Sequence, residues 1–528
     1  MLLLASVLLA GGRAAVGQGG AVAPVWGAVS AGGELDTYLR VLQSLGIVPL
    51  APWGARAFSP GEIARLAPPD SGHPWAGRYD WRRSSRSRDF ALLRPTASLR
   101  FNSGFPYGAN DGAVWAGRGL TSAIEAGFAV RYGALSLTVA PLVFRAENAD
   151  FQLLARGDTG RLAFADGVHG GAIDLPQRFG AAPYTAVDPG QSTLRLDARG
   201  AALGLSTANE YWGPAREYPI LLGNNAAGFP HVFFGTAAPL DLRVVRLHGR
   251  LVWGRLAQSD YSPAIGTAQR FGAGAVAVLT SRFVPGLEIG VARFAHMPWR
   301  SGGPTLKEVL VPLGWQYRAN ITGTITDNQL ASAFFRWVLP RSGFEAYGEY
   351  GRDDYNQNVR DLVLEPDHMG GYTVGFAKAL RSAGTVRVIR AEIQNLQFSV
   401  LALGRGWDPF YTNAYLRQGH TQRGQVLGSD AGLGGAGSLA ALDTYHPGGR
   451  WTVSWSRVLR RQRGGFALDS VSDPQGLDVI HAVSANGLVF RGRYEIIAGL
   501  TAVYELNRDF QRDAFNLNLV VGAKVNVP

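Results

Sequence analysis

Cysteine is absent from the 528 residues, which removes disulfides, zinc–thiolate sites and thiol nucleophiles together. Lysine is nearly absent too: all but Lys307, Lys378 and Lys524 of the 51 basic residues are arginine. The formal charge of +11 suits an acidic partner such as nucleic acid, anionic lipid or an acidic polysaccharide. Ala, Gly and Pro are abundant alongside Arg, as a biased codon usage would make them, and this weakens the inference from charge. The nine histidines include no His-Glu-x-x-His spacing or other close pair, so nothing points to a catalytic metal. Beyond the N-terminus no run approaches the ~20 apolar residues of a membrane helix.

The N-terminal run, LLLASVLLA over 2–10, is followed by Gly, Arg and small residues, with a cleavage point after Gly17. It reads as a secretory signal over residues 1–17, although Met1 runs directly into leucine without the usual basic start. Export argues against a nucleic-acid partner.

A small helical part follows. In ELDTYLRVLQSL (34–45), Leu35, Tyr38, Leu39, Leu42 and Leu45 fall on one helical face, and Gly46 is placed to stop it. Ser59, Pro60 and Glu62 form a capping box ahead of Ile63 and Leu66, and Pro68 and Pro69 end that helix. Both are too short for a core of their own and must lean on something larger. An Arg- and Ser-dense stretch to Arg94 reads as a solvated linker or a face for anionic lipid. The expected organisation is therefore a helical and linker segment over 18–94.

From Thr96 the texture becomes short alternating segments between Gly-rich polar turns. Phe344, Ala346, Gly348 and Tyr350 share one face of a strand and Glu345, Tyr347 and Glu349 the other. Phe515–Val525 alternates over eleven residues, the length of a tilted membrane-spanning strand. A soluble sandwich alternates as well. With export and without apolar helices, the expectation over 95–528 is an all-β membrane protein, a large antiparallel transmembrane β-barrel of roughly 16–20 strands with plugging and extracellular loops. Trp115, Trp299, Trp315, Trp337, Trp451 and Trp455 suit interfacial girdles in contact with outer-membrane lipid. The final Val-Asn-Val-Pro departs from the aromatic ending common in bacterial barrels.

The stretch Ser206–Pro239, STANEYWGPAREYPILLGNNAAGFPHVFFGTAAP, is too rich in Gly and Pro for a helix. Asn209, Glu210, Trp212 and Arg216 supply ring, amide, carboxylate and guanidinium within eight positions, the groups that a sugar-binding surface uses. A rigid crossing between strands would use the same turn residues. A second polar cluster, QGHTQRGQVLG (418–428), offers His420, Gln422 and Arg423 on a loop folding into or over a lumen. Other motifs fail on context: GLGGAG (432–437) lacks a βαβ unit, GLSTA (204–208) lacks the second Gly of a nucleophile elbow, and neither Asp353 with Asp354 nor Glu210 with Asp197 makes a convincing acid/base dyad.

The central block STANEYWGPAREYPILLGNNAAGFPH resembles the capsule-assembly Wzi-like family of outer-membrane proteins. VWAGRG (114–119), IDLPQRFG (173–180), PGQS (189–192), GEYGRDD (348–354) and RQGHTQRG (417–424) agree in the same order. The resemblance implies a bacterial outer-membrane β-barrel with a small helical part that binds capsular or related surface polysaccharide, acidic polysaccharide included, and retains it at the cell surface. On that reading the chain is no enzyme, needs no cofactor and works as a monomer. The alternatives are a porin-like channel, since so wide a barrel can enclose water, and a secreted carbohydrate-active enzyme.

Overall fold

The structure is a computed structural model, which describes residues 23–25, 27, 29–155, 157–264, 269–314, 327–353, 359–397, 409–462 and 476–526. The signal at 1–17, Trp315 and Asp354 fall outside them. Alternation builds a wall: in Phe344–Asp353 the side chains of Glu345, Tyr347 and Glu349 are buried in the lumen while Tyr350 is exposed on the outside. Arg512–Val525 repeats the pattern, with Asn516 and Asn518 inward and Phe515 and Val521 outward. Neighbouring strands pair antiparallel, and the last closes on Thr96–Asn102.

Twenty-three segments make up the closed sheet. Five strands are each interrupted once, within 88–102, 119–132, 135–146, 184–198 and 231–241, so the segments amount to eighteen passages among the described residues. The breaks have local causes. Pro95, Pro141 and Pro189 cannot donate to a ladder, and a Cβ on Gly127 would lie 1.8 Å from the Val139 carbonyl oxygen. The first wall strand begins at Arg88, so the tail of the expected linker is already wall.

Short turns at 133–134, 199–200, 383–384, 447–448 and 492–493 all lie at one end, and the long connections that begin after Asn102, Ala146, Ser206 and Asn395 leave from the other. Short turns face the periplasm and long loops the exterior. Outward Phe335, Trp337, Val374, Phe376, Ile389 and Val453 are exposed, as a lipid-facing band requires. Trp299, Trp337, Trp451 and Trp455 also face outward. Trp455 sits at mid-strand, and Trp115 lies among loops, its ring 5.0 Å from that of Phe179.

Two plugs fill the lumen. The lower one enters from the periplasmic end with helix α1 (Glu34–Ser44) and helix α2 (Pro60–Arg65), the latter started by the Ser59–Glu62 capping box. Leu35, Tyr38, Leu39 and Leu42 pack against Trp53, Trp75 and the wall residues Val386, Val388 and Tyr445. The upper plug comprises 207–230 and 409–435, crossing from the exterior end around Trp212, Ile220–Leu222, Phe229 and Tyr411.

Candidate functional site

The central segment leaves the wall at Ser206 and rejoins it opposite, at His231. Asn209 folds the excursion back on itself: its Nδ2 donates to the carbonyls of Gly223 (3.0 Å) and Ala226 (2.8 Å), and its Oδ1 accepts from Gln191 (2.8 Å). Glu210 accepts from the Trp212 indole (3.2 Å), His231 (3.1 Å) and Arg250 (2.8 Å). Burial alone raises its carboxyl, but Arg250 and His231 bring it down to about 2. Trp212 is 0% exposed, its ring 6.3 Å from Phe294 in a T-shaped arrangement. The ring that the sequence offered to a sugar-binding surface is thus a core side chain. The turn after it demands glycine, since Gly213 has φ +87° and an added Cβ would lie 2.5 Å from Glu349 Oε2.

Arg216 ties three parts of the molecule together. Its Nη2 donates to Glu345 (2.9 Å), which also takes Arg40 Nε of α1 (2.8 Å) and Arg336 Nε of the wall (2.9 Å). Beside it Glu392 accepts the backbone N–H groups of Arg216 (2.8 Å), Glu217 (3.0 Å) and Tyr218 (2.6 Å). The plugs join directly as well, Tyr211 and Trp212 pairing with Arg56 and Ala55 as a two-residue antiparallel ladder. Glu345 and Glu392 were not singled out from sequence, although the strand pattern already put Glu345 on one face with Tyr347 and Glu349. Acidic residues on the lumenal face of a wall strand were the available signal.

The second cluster is also internal. His420 Nε2 donates to Leu221 O (2.6 Å) and its ring stacks on Tyr411; burial brings its pKa down to about 4. Gln422 Oε1 accepts from Ala257 N (2.8 Å). Arg423, with a side chain 38% exposed, reaches Asp188 at 2.6 Å. Of the seven candidate residues, Arg423 alone presents much surface. Asn209, Glu210, Trp212, Arg216, His420 and Gln422 fasten loops, and the seven do not converge on one open surface.

A cavity of about 570 Å³ lies elsewhere, between the upper plug and the last wall strands. Ser454, Ser456, Ser484, Asn486, Thr501 and Asn518 line its wall side, and Tyr107, Trp115, Gln177, Asn225 and Gln425 its loop side. None of its lining residues belongs to the lower plug. Its charges are mostly matched: Arg100 pairs with Asp111, Arg460 with Glu505 (2.7 Å) and Glu217 with Arg390 (2.6 Å). Asp430 is the exception. Its Oδ1 is buried without a hydrogen-bond partner, and burial together with Glu217 pushes the carboxyl up to about 6. Asp353, from the sequence pairs weighed for catalysis, accepts from Tyr411 N (2.5 Å), and Asp197 binds Arg195 (2.7 Å). Among the described residues no cluster of His and carboxylates suits a metal ion.

The closed wall, the outward apolar band and the segregated loop lengths define a bacterial outer-membrane β-barrel whose lumen carries plugs from both ends. Among solved structures, the chain is similar in fold to Wzi, an Escherichia coli outer-membrane protein involved in group 1 capsule assembly and a carbohydrate-binding β-barrel, with a TM-score of 0.60 and 14% identity over 93% of this chain and 98% of that one. OprD of Pseudomonas aeruginosa matches at a TM-score of 0.37 and 9% identity, over 82% of this chain and 92% of that one. No protein-family model and no curated protein matches the sequence.

Proposed function

We propose that this barrel binds surface polysaccharide on its exterior side and retains it at the cell surface without cleaving it. The observation that carries the reading is the polar cavity between upper plug and wall. Hydroxyl and amide groups around it can exchange hydrogen bonds with sugar hydroxyls, and Tyr107 and Trp115 offer ring faces to C–H groups. With Arg100 and Arg460 already paired and Asp430 without an ion pair among the described residues, the cavity favours neutral glycan over acidic glycan. In this reading Asn209, Glu210, Trp212, Arg216, His420 and Gln422 position the loops that form the cavity, and Arg423, paired with Asp188, fastens the loop that brings Gly424 and Gln425 to it.

A closed wall leaves no strand edge for a second copy to extend, which fits a protein that works as a monomer. Non-enzymatic binding fits the engagement of Asp353 by Tyr411 N and of Asp197 by Arg195, and it fits the kind of protein that Wzi is. The test compares cells with and without the gene for retained and released polysaccharide. Release into the medium at unchanged synthesis is expected; unchanged retention overturns the reading. Planar-bilayer recording separates it from a porin, since a lumen crossed by two plugs should conduct little and open-pore conductance would establish transport instead.

A further inference from the structure

The wall is not equally tall all round. Ala201–Ser206 and His231–Thr236 have six residues each, against thirteen in Val245–Ala257. Ser206 lies opposite Thr193 on one side and His231 on the other, and His231 lies opposite Gly254. Towards the exterior from that row, Tyr184–Asp188 keeps wall pairing on its Leu142–Ala146 side alone, and 255–257 on the side of Gln269–Phe271 alone. The two short strands thus leave a notch in the half of the barrel that lies in the outer leaflet.

The upper plug closes this notch from within. Arg423 N donates to Ala257 O (2.8 Å), Ala257 N donates to Gln422 Oε1 (2.8 Å), and the Arg423 guanidinium reaches Asp188 on the opposite edge. On the membrane side a recess of about 640 Å³ remains, lined almost wholly by apolar atoms. Leu194, Leu205 and Val232 are exposed within it, and Trp253 and Trp299 stand at its flank. The Trp253 indole donates to Val309 O (2.8 Å), which holds residues 306–313 against the outside of the wall with Leu306, Leu310 and Leu313 exposed. Arg255 borders the recess, exposed and without an ion pair among the described residues; its contact is Gln269 at 3.5 Å.

We propose that this recess is a binding site for an acyl chain of a phosphorylated glycolipid of the outer leaflet, with Arg255 on the lipid phosphate. Lipid tails are as apolar as the wall, so hydrophobicity alone gives no preference for the recess over the bilayer. The preference comes from dispersion contacts in a preformed concavity and from a guanidinium that can bind phosphate through two hydrogen bonds. A smooth wall would offer the first weakly and, without Arg255, the second not at all. The site is independent of the polysaccharide cavity and lies on the other side of the hairpin, Thr421–Gln422 paired with Gln425–Val426, that seals the notch.

The test uses the full-length protein in detergent, with native mass spectrometry of diphosphorylated lipid A, its dephosphorylated form, and phosphatidylglycerol. The wild type should hold diphosphorylated lipid A about tenfold or more tightly than its dephosphorylated form, with phosphatidylglycerol, a phosphodiester of single charge, between the two. Arg255→Gln should remove that margin, and Val232→Trp, which fills the recess from an outward-facing position, should weaken all three lipids. Leu205→Trp repeats the filling test from the next strand if Val232→Trp fails to give a heat-resistant barrel. Equal binding of the three lipids by the wild type, or folded variants that bind as the wild type does, overturns the proposal.

Discussion

Below the middle of the lumen the plug is a helix on aromatic rings; above it the plug has almost no regular structure and is held by hydrogen bonds to wall side chains. In the lower plug Tyr38 stacks on Trp75 at 4.0 Å, and Tyr445 closes on both. The upper plug lacks a repeating ladder, so its backbone groups find partners one by one: Glu392 takes three N–H groups, Asn209 two carbonyls and Tyr411 the carbonyl of Ile220. An unpaired buried backbone group costs as much as a lost hydrogen bond, so each of these side chains is fixed by what it satisfies. A segment built this way can be shaped freely around a cavity. The lower plug, packed by area, leaves none among the lining residues of the polar cavity.

If both plugs depend on the charge cluster between them, removing Glu345 should damage the molecule most. Glu345→Ala leaves Arg40, Arg216 and Arg336 without their shared carboxylate, at a cost of about 3–5 kcal/mol. The expected readout is a large fall in the temperature at which the barrel loses its heat-resistant band on a detergent gel. A fall no greater than that of a surface variant would mean that the plugs do not share this anchor.

Acid should act on the upper plug in particular. The unfolded chain protonates His420 near pH 6.5, whereas the folded chain, with burial as the main cause, does so near 4. Stability from neutral His420 is therefore present above pH 6.5 and is lost as pH falls towards 4, by about 3 kcal/mol in all. Asp430, pushed up to about 6, works in the opposite direction between pH 4 and 6. Comparing the wild type with His420→Gln isolates the histidine: the variant should lose less stability over that range, and parallel profiles would remove His420 as the cause.

Asn209→Ala tests the single-partner logic of the upper plug. It strands the Gly223 and Ala226 carbonyls, at about 1–3 kcal/mol, and hydrogen exchange should speed up in 207–230 while α1 stays protected. The smallest effect belongs to the lower plug. Ser59→Ala removes the cap of α2 at about 1 kcal/mol, with local loosening over 60–65 and an unchanged polar cavity. Equal loosening of both plugs in either variant would show one cooperative unit where the contrast in their construction predicts two.

Period-two alternation was readable because a wall strand sees lumen on one face and lipid on the other, so Glu345, Tyr347 and Glu349 separated from Tyr350 without tertiary information. The helices α1 and α2 were legible for a similar reason, their faces and caps being set within a few residues. Partnership across the lumen was not. Asn209, Glu210, Trp212 and Arg216 carry the chemistry of a sugar site, and that chemistry equally satisfies buried backbone and paired charge. Only the fold, by bringing position 216 to 345 and position 210 to 231 and 250, decided which use they have. The notch above Ser206 belongs to the same class of fact: it depends on where two strands stop relative to their neighbours, a matter of register that no local sequence window contains. The sequence by itself determined a wall, its faces and its small helical part, because short-range periodicity and capping are local physics. The tertiary structure decided which polar residues are fasteners and where open space remains, because burial and pairing depend on segments hundreds of residues apart.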